Sequence, residues 1–77
     1  MTEDELFDVI KEIVFYVTGT ETLTRDTDFV KDLALNSLDV ANMVAVFEER
    51  FDVKIPIAEV WKLAQVRDVI EFISRNN

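Results

Sequence analysis

The chain predicts an all-α fold: an antiparallel four-helix bundle with a short third helix and a long loop between helices one and two. Three observations lead there. Apolar residues recur at steps of three and four in three separate stretches, the spacing of one buried helical face. Helix punctuation frames those stretches, with Thr2-x-x-Glu5 at the start, Gly19 after the first stretch and Pro56 between the second and the third. Finally, 77 residues, of which 49% are apolar, suffice for one small core and exceed what a disordered chain contains. Residues 1–77 therefore read as a single domain.

Thr2 and Glu5 form the pattern of a capping box, in which each side chain satisfies a backbone donor at the helix start. Leu6, Val9, Ile10, Ile13, Val14 and Val17 then make one stripe. Glu3, Asp4 and Glu5 favour the positive end of the helix dipole. The β-branched residues near Val17, followed by the only glycine, Gly19, predict the stop.

Residues 18–35 read as a loop, because "TGTETLTRDTD" is rich in side chains that bond their own backbone. Phe29 and Leu33, four apart, predict a short turn that pins this loop to the core. The carboxylates of "RDTDFVKD" suggest a calcium loop. The stretch lacks the glycine and the closing glutamate of an EF-hand, so a solvated loop is expected.

Helix two should begin at Asn36 or Ser37. Its buried stripe is Val40, Met43, Val44, Phe47 and Phe51; another face carries Leu38, Ala41, Asn42, Ala45, Glu48 and Glu49. Ile55 can enter the core, and Pro56 ends one helix while suiting the first turn of the next. A short helix over Ile57 to Lys62 follows, with Trp61 expected as a partly buried packing residue or, as the alternative, a partner contact. Val66, Val69, Ile70 and Ile73 mark the last helix.

Composition excludes several functions. With no cysteine and no histidine, the chain offers no disulfide, no Cys/His zinc site and no Ser-His or Cys-His catalytic pair; a Ser-Lys pair remains formally possible. A single glycine excludes a phosphate-cradling glycine loop. No apolar run is long enough to span a bilayer. The acidic "MTEDELFDVI" lacks the basic start of a secretory or transit segment, so a mature cytoplasmic start is expected. A net charge of −8 repels nucleic acid and anionic membranes and attracts basic protein surfaces. The expectation is a monomer with protein partners, and not an enzyme.

Ser37 admits two readings. In the first, Ser37 only starts the helix: Asn36 is the N-cap with Asp39 completing a box-like exchange, or Ser37 is itself the cap. If Asn36 caps, the Ser37 hydroxyl is left at a helix start facing solvent. There the dipole would favour a phosphodiester by about 0.3–1 kcal/mol.

The stretch "DLALNSLDVANMVAVFEERFDVKIP" resembles the acyl carrier proteins. Asp32-Leu33, Ser37-Leu38-Asp39, Phe47, Glu48-Glu49, Phe51-Asp52 and Ile55-Pro56 occur in that family's order and spacing, and the likeness extends to "TDFVKDL" and "VRDVIEFI". The resemblance implies a covalent 4′-phosphopantetheine from coenzyme A on Ser37, whose thiol carries acyl groups for fatty acid, polyketide or related synthesis. It implies as partners a phosphopantetheinyl transferase and acyl-loading and acyl-processing enzymes with basic docking patches. These would meet Leu38, Asp39, Asn42, Ala45, Glu48 and Glu49. It also implies that the core around Met43, Val44 and Phe47 can hold an acyl chain, with bulky Phe47 limiting the space. The chain departs from the family at Asn36, where aspartate is usual, at Ala34, where glycine is common, and at Asn42 and Arg50, where glutamates are frequent. An aminoacyl or peptidyl carrier, or an unmodified interaction module with Ser37 only starting a helix, are the alternatives.

Overall fold

Thr2 starts the first helix as expected. Its hydroxyl accepts the Glu5 N–H at 3.2 Å, and the Glu5 carboxylate accepts the Thr2 N–H at 2.9 Å. The computed structural model describes residues 1–76, and its helices are α1 (Glu3–Thr18), α2 (Ser37–Phe51), α3 (Ile57–Val60) and α4 (Val66–Arg75). Gly19 ends α1 in the left-handed region at φ 76° and returns its N–H to the Phe15 carbonyl at 2.8 Å. No helix among the described residues is long and apolar enough to cross a membrane.

The stripes become the core. Leu6, Ile10, Ile13 and Val14 of α1 are buried, with Val9 and Val17 half-buried at the edges. Met43, Phe47 and Phe51 of α2 and Val66, Val69, Ile70 and Ile73 of α4 complete it. α1 packs against both α2 and α4. Each wholly buried side chain of this kind contributes about 1.5–3 kcal/mol by leaving water, so the stripe of α1, which meets both neighbours, is the main source of cohesion.

The long loop is less free than its composition suggests. Leu23, Phe29 and Leu35 are buried, and Phe29 to Leu33 form the expected turn. The loop also runs beside the entry to α4. Phe29 N–H donates to the Ala64 carbonyl, Val66 N–H to Thr27 and Arg67 N–H to Arg25, at 2.9, 3.0 and 2.9 Å. Asp28 and Gln65 form an isolated antiparallel bridge. Backbone groups that a buried loop would leave unpaired are thereby satisfied. The loop's carboxylates are engaged locally: Asp28 accepts the Val30 and Lys31 N–H groups, Asp32 accepts the Asp28 N–H, and Asp26 pairs with Arg67. Arg25 ties the loop to α1 by pairing with Asp4 and lying 5.2 Å from the Phe7 ring centroid.

The third helix is shorter than the sequence predicts. It ends at Val60, and Trp61 and Lys62 form a turn instead of a second helical turn. The i→i+3 bonds from Lys62 N–H to Glu59 and from Leu63 N–H to Val60 tighten the chain there. The strand-like stretch that follows is needed for the pairing with the loop. Trp61 is 61% exposed, which corrects its expected role in packing. One helical turn defines no inward face of its own, and Val60 and Leu63 pack on the core in its place.

Candidate functional site

The approach to α2 begins in an unfavourable conformation. Ala34 stands at φ 54°, the left-handed region that glycine adopts without steric penalty. The alanine therefore keeps the path a glycine would take, at a cost in strain. Leu35 then anchors in the core, and Asn36 turns into the helix.

Asn36 is the cap. Its side-chain oxygen accepts the Asp39 N–H at 2.8 Å, and the Asp39 carboxylate accepts the Asn36 N–H at 3.4 Å. Ser37 is consequently the first helical residue; it is exposed, and its hydroxyl takes no part in the cap. A helix start leaves its first N–H groups without partners in the helix and carries a partial positive charge. An oxygen attached to phosphorus suits that position. With neither histidine nor cysteine in the chain, Ser37 has no neighbouring base of the usual kind to make it a nucleophile. The arrangement suits an acceptor that a second protein modifies.

A surface groove starts at Ser37 and runs between α2 and α3 past Ala41, Ala45, Glu48, Ile57 and Trp61. Behind it lies an apolar cavity of about 230 Å³, reaching Phe29, Leu35, Met43, Phe47, Leu63 and Val69. Val40, Val44, Ile55, Val60 and Trp61 line both, so the groove and the partly open cavity adjoin. Phe29 and Phe47 meet edge to face at the cavity wall, 6.3 Å between centroids at 65°. Phe47 thus borders the space and does not fill it.

The residues expected to meet partners fall into two groups. Leu38 is 69% exposed, and Asn42, Ala45 and Glu49 are exposed along the same helix. Asp39 is committed to the cap, and half-buried Glu48 accepts the Ile55 N–H at 2.8 Å, which closes the chain after α2. Arg50 turns from this surface toward α1, its guanidinium 3.5 Å from the Glu12 carboxylate. Ile57 was absent from the expected set, and Trp61 was expected there only as the alternative to a packing role, yet they are 80% and 61% exposed on the groove. Their spacing of four, on either side of a single turn, was the signal available.

A family model described as "Phosphopantetheine attachment site" matches residues 8–73. The chain is 34% identical over 77 residues to an acyl carrier protein of Akkermansia muciniphila, with 97% of this chain and 96% of the relative covered. It is 40% identical over 73 residues to an acyl carrier protein of Wolinella succinogenes, covering 92% and 96% of the two chains. An acyl carrier protein of a Sulfurovum species is 40% identical over 70 residues, covering 88% and 93%.

Proposed function

The chain belongs to the acyl carrier protein family, and from that premise we propose that Ser37 is the residue bearing its 4′-phosphopantetheine arm. The protein is a carrier and not a catalyst: it holds acyl groups on the covalent arm and serves phosphopantetheinyl transferases and acyl-processing enzymes. The observation that carries the assignment of the site is the division of labour at the start of α2. Asn36 caps, which leaves the Ser37 hydroxyl exposed at the positive end of the helix.

In the loading step, Ser37 Oγ attacks the phosphorus that bears pantetheine in coenzyme A. The Oγ–P bond forms, the pyrophosphate bond breaks, and 3′,5′-ADP leaves. The Ser37 proton passes to a base on the transferase, since this chain has no histidine to take it. The thiol that carries cargo then belongs to the arm, which is how a cysteine-free chain takes part in thioester chemistry. The apolar cavity behind the groove supports a resting place for the attached acyl chain.

Partner enzymes meet Leu38, Asn42, Ala45 and Glu49 on α2, with Asp39 and Glu48 adding charge from less exposed positions. A basic patch on the enzyme matches a carrier of net charge −8 and speeds encounter more than it adds affinity. The same charge opposes self-association, in keeping with a monomeric single-domain carrier. A cysteine-free chain is suited to work in the cytoplasm.

The test is intact mass after incubation with coenzyme A and a broad-specificity phosphopantetheinyl transferase. Wild type should gain one phosphopantetheine, and Ser37→Ala should gain none while keeping its helical circular dichroism, because Asn36 still caps. Unfolding of Ser37→Ala, or a mass gain that survives the substitution, would remove Ser37 from this role.

A further inference from the structure

The α3 side of the groove carries more exposed apolar surface than the chain's own folding calls for. α3 has no buried residue, and its first residue, Ile57, is 80% exposed. Trp61, the only tryptophan, is 61% exposed four positions later. Both line the groove that begins at Ser37, and Leu38 stands exposed beside it. Among the residues lining this groove only Glu48 is charged, and it is acidic. A large aromatic and a large aliphatic side chain held in water beside Ser37 mark a contact surface. They resemble the anchors that dominate interface energies once desolvated.

We propose that Ile57 and Trp61 form an apolar anchor on which the coenzyme A-dependent transferase docks when it modifies Ser37. The inference rests on the assignment of Ser37 as the acceptor. The occupant follows from position. Later enzymes dock along α2 but react at the end of a long arm, away from Ser37 itself. The transferase must bring its own bound substrate to Ser37 Oγ, and Ser37 is itself part of the groove wall. Its docking element is therefore apolar at the centre, to cover Ile57 and Trp61, and basic at the edge, to meet Glu48 and exposed Glu49. An anchor of this kind sets affinity through apolar burial, which salt screens little, whereas the acidic edge sets a salt-dependent encounter rate.

A sole tryptophan makes the contact directly observable. The Ser37→Ala chain, labelled at Trp61 with 5-fluorotryptophan, is titrated with an unlabelled broad-specificity phosphopantetheinyl transferase and coenzyme A, and its fluorine resonance is recorded. The expected result is a saturable shift of that resonance. In parallel, Trp61→Ala and Ile57→Ser should raise the KM for the carrier in the transfer reaction about tenfold each, with kcat little changed. That rise should persist in high salt, whereas the KM rise from Glu49→Lys should shrink there. Ile57→Ser guards against misfolding, because Ile57 makes no buried contact that the fold needs. The proposal is overturned if wild type is modified at Ser37 while the resonance stays fixed at saturating transferase and both variants keep the wild-type KM. A resonance that moves with carrier concentration alone would reassign the surface to a second copy of this chain. A mass gain retained in Ser37→Ala would instead sink the acceptor assignment, a distinct failure.

Discussion

α2 and α3 face each other across the groove and are built in opposite ways. α2 opens with a reciprocal Asn36/Asp39 box, buries Met43, Phe47 and Phe51, and closes with Asp52 in the left-handed region, its N–H bonded to the Glu48 carbonyl. α3 has four residues, no side-chain cap and no buried residue. One wall holds Ser37 in a fixed place, and the other presents apolar side chains on a backbone with few anchors. A carrier that meets several enzymes benefits from both. The hydroxyl proposed for modification is held in one geometry, whereas the adjoining surface supplies the apolar area proposed for the transferase. Stability and recognition are therefore concentrated on different elements.

The sharpest way to break this contrast sets a buried isoleucine of the core on which α2 packs against the exposed isoleucine of α3. Ile10→Ala, in the core that α1 shares with α2 and α4, should destabilise by about 2–5 kcal/mol in urea unfolding. Ile57→Ala should stay within about 0.5 kcal/mol of wild type. A comparable loss at Ile57 would show that α3 supports the fold after all.

The two neighbouring acids of α2 give the next largest difference. Glu48 holds the Ile55 N–H, so Glu48→Ala should cost about 1–3 kcal/mol by leaving a partly buried donor unpaired. Glu49→Ala should be nearly silent in stability and should act on docking alone. Equal thermal midpoints for the two variants would mean that the Glu48 bond contributes nothing.

A smaller effect separates two residues with similar backbone. Gly19 stands at φ 76° and Ala34 at φ 54°. Ala34→Gly should stabilise by about 0.5–1 kcal/mol, and Gly19→Ala should destabilise by a similar amount or more. An alanine at Gly19 meets no atom within 4 Å, so its cost is backbone strain alone. If Ala34→Gly lowers the thermal midpoint, the entry to α2 is not strained.

The weakest effect lies in the cap of α1. The Thr2 N–H, and after it the Thr2 hydroxyl, hold the Glu5 carboxyl below its ordinary value of 4.5. A carboxyl with a lowered folded value adds stability that is present above 4.5 and lost as pH falls through the folded value. The gap in thermal midpoint between wild type and Glu5→Gln should therefore be visible near neutral pH and close on acidification. A gap that widens in acid would reverse the sign and remove the cap from this role.

Sequence alone determined the four helices, the Thr2/Glu5 box, the stop at Gly19, the turn after Phe29 and the buried residues of α1 and α4. Caps and stripes are settled between residues three or four apart, so they are written where they act. It also determined the family, because the ordered residues from Asp32 to Pro56 carry that likeness, and it narrowed the cap of α2 to two adjacent residues. The structure settles that choice on Asn36, still a local exchange with Asp39, and with it that the Ser37 hydroxyl stands clear. Tertiary structure decided that the loop pairs with the entry to α4, where the Gln65 side-chain amide donates to the Asp26 carbonyl. It turned Arg50 to Glu12, set Glu48 on Ile55 and left Trp61 in water. These outcomes join side chains to groups distant in sequence, or depend on how little of a short helix the core can cover. No local period encodes either, since both follow from which surfaces meet once the stripes have been buried.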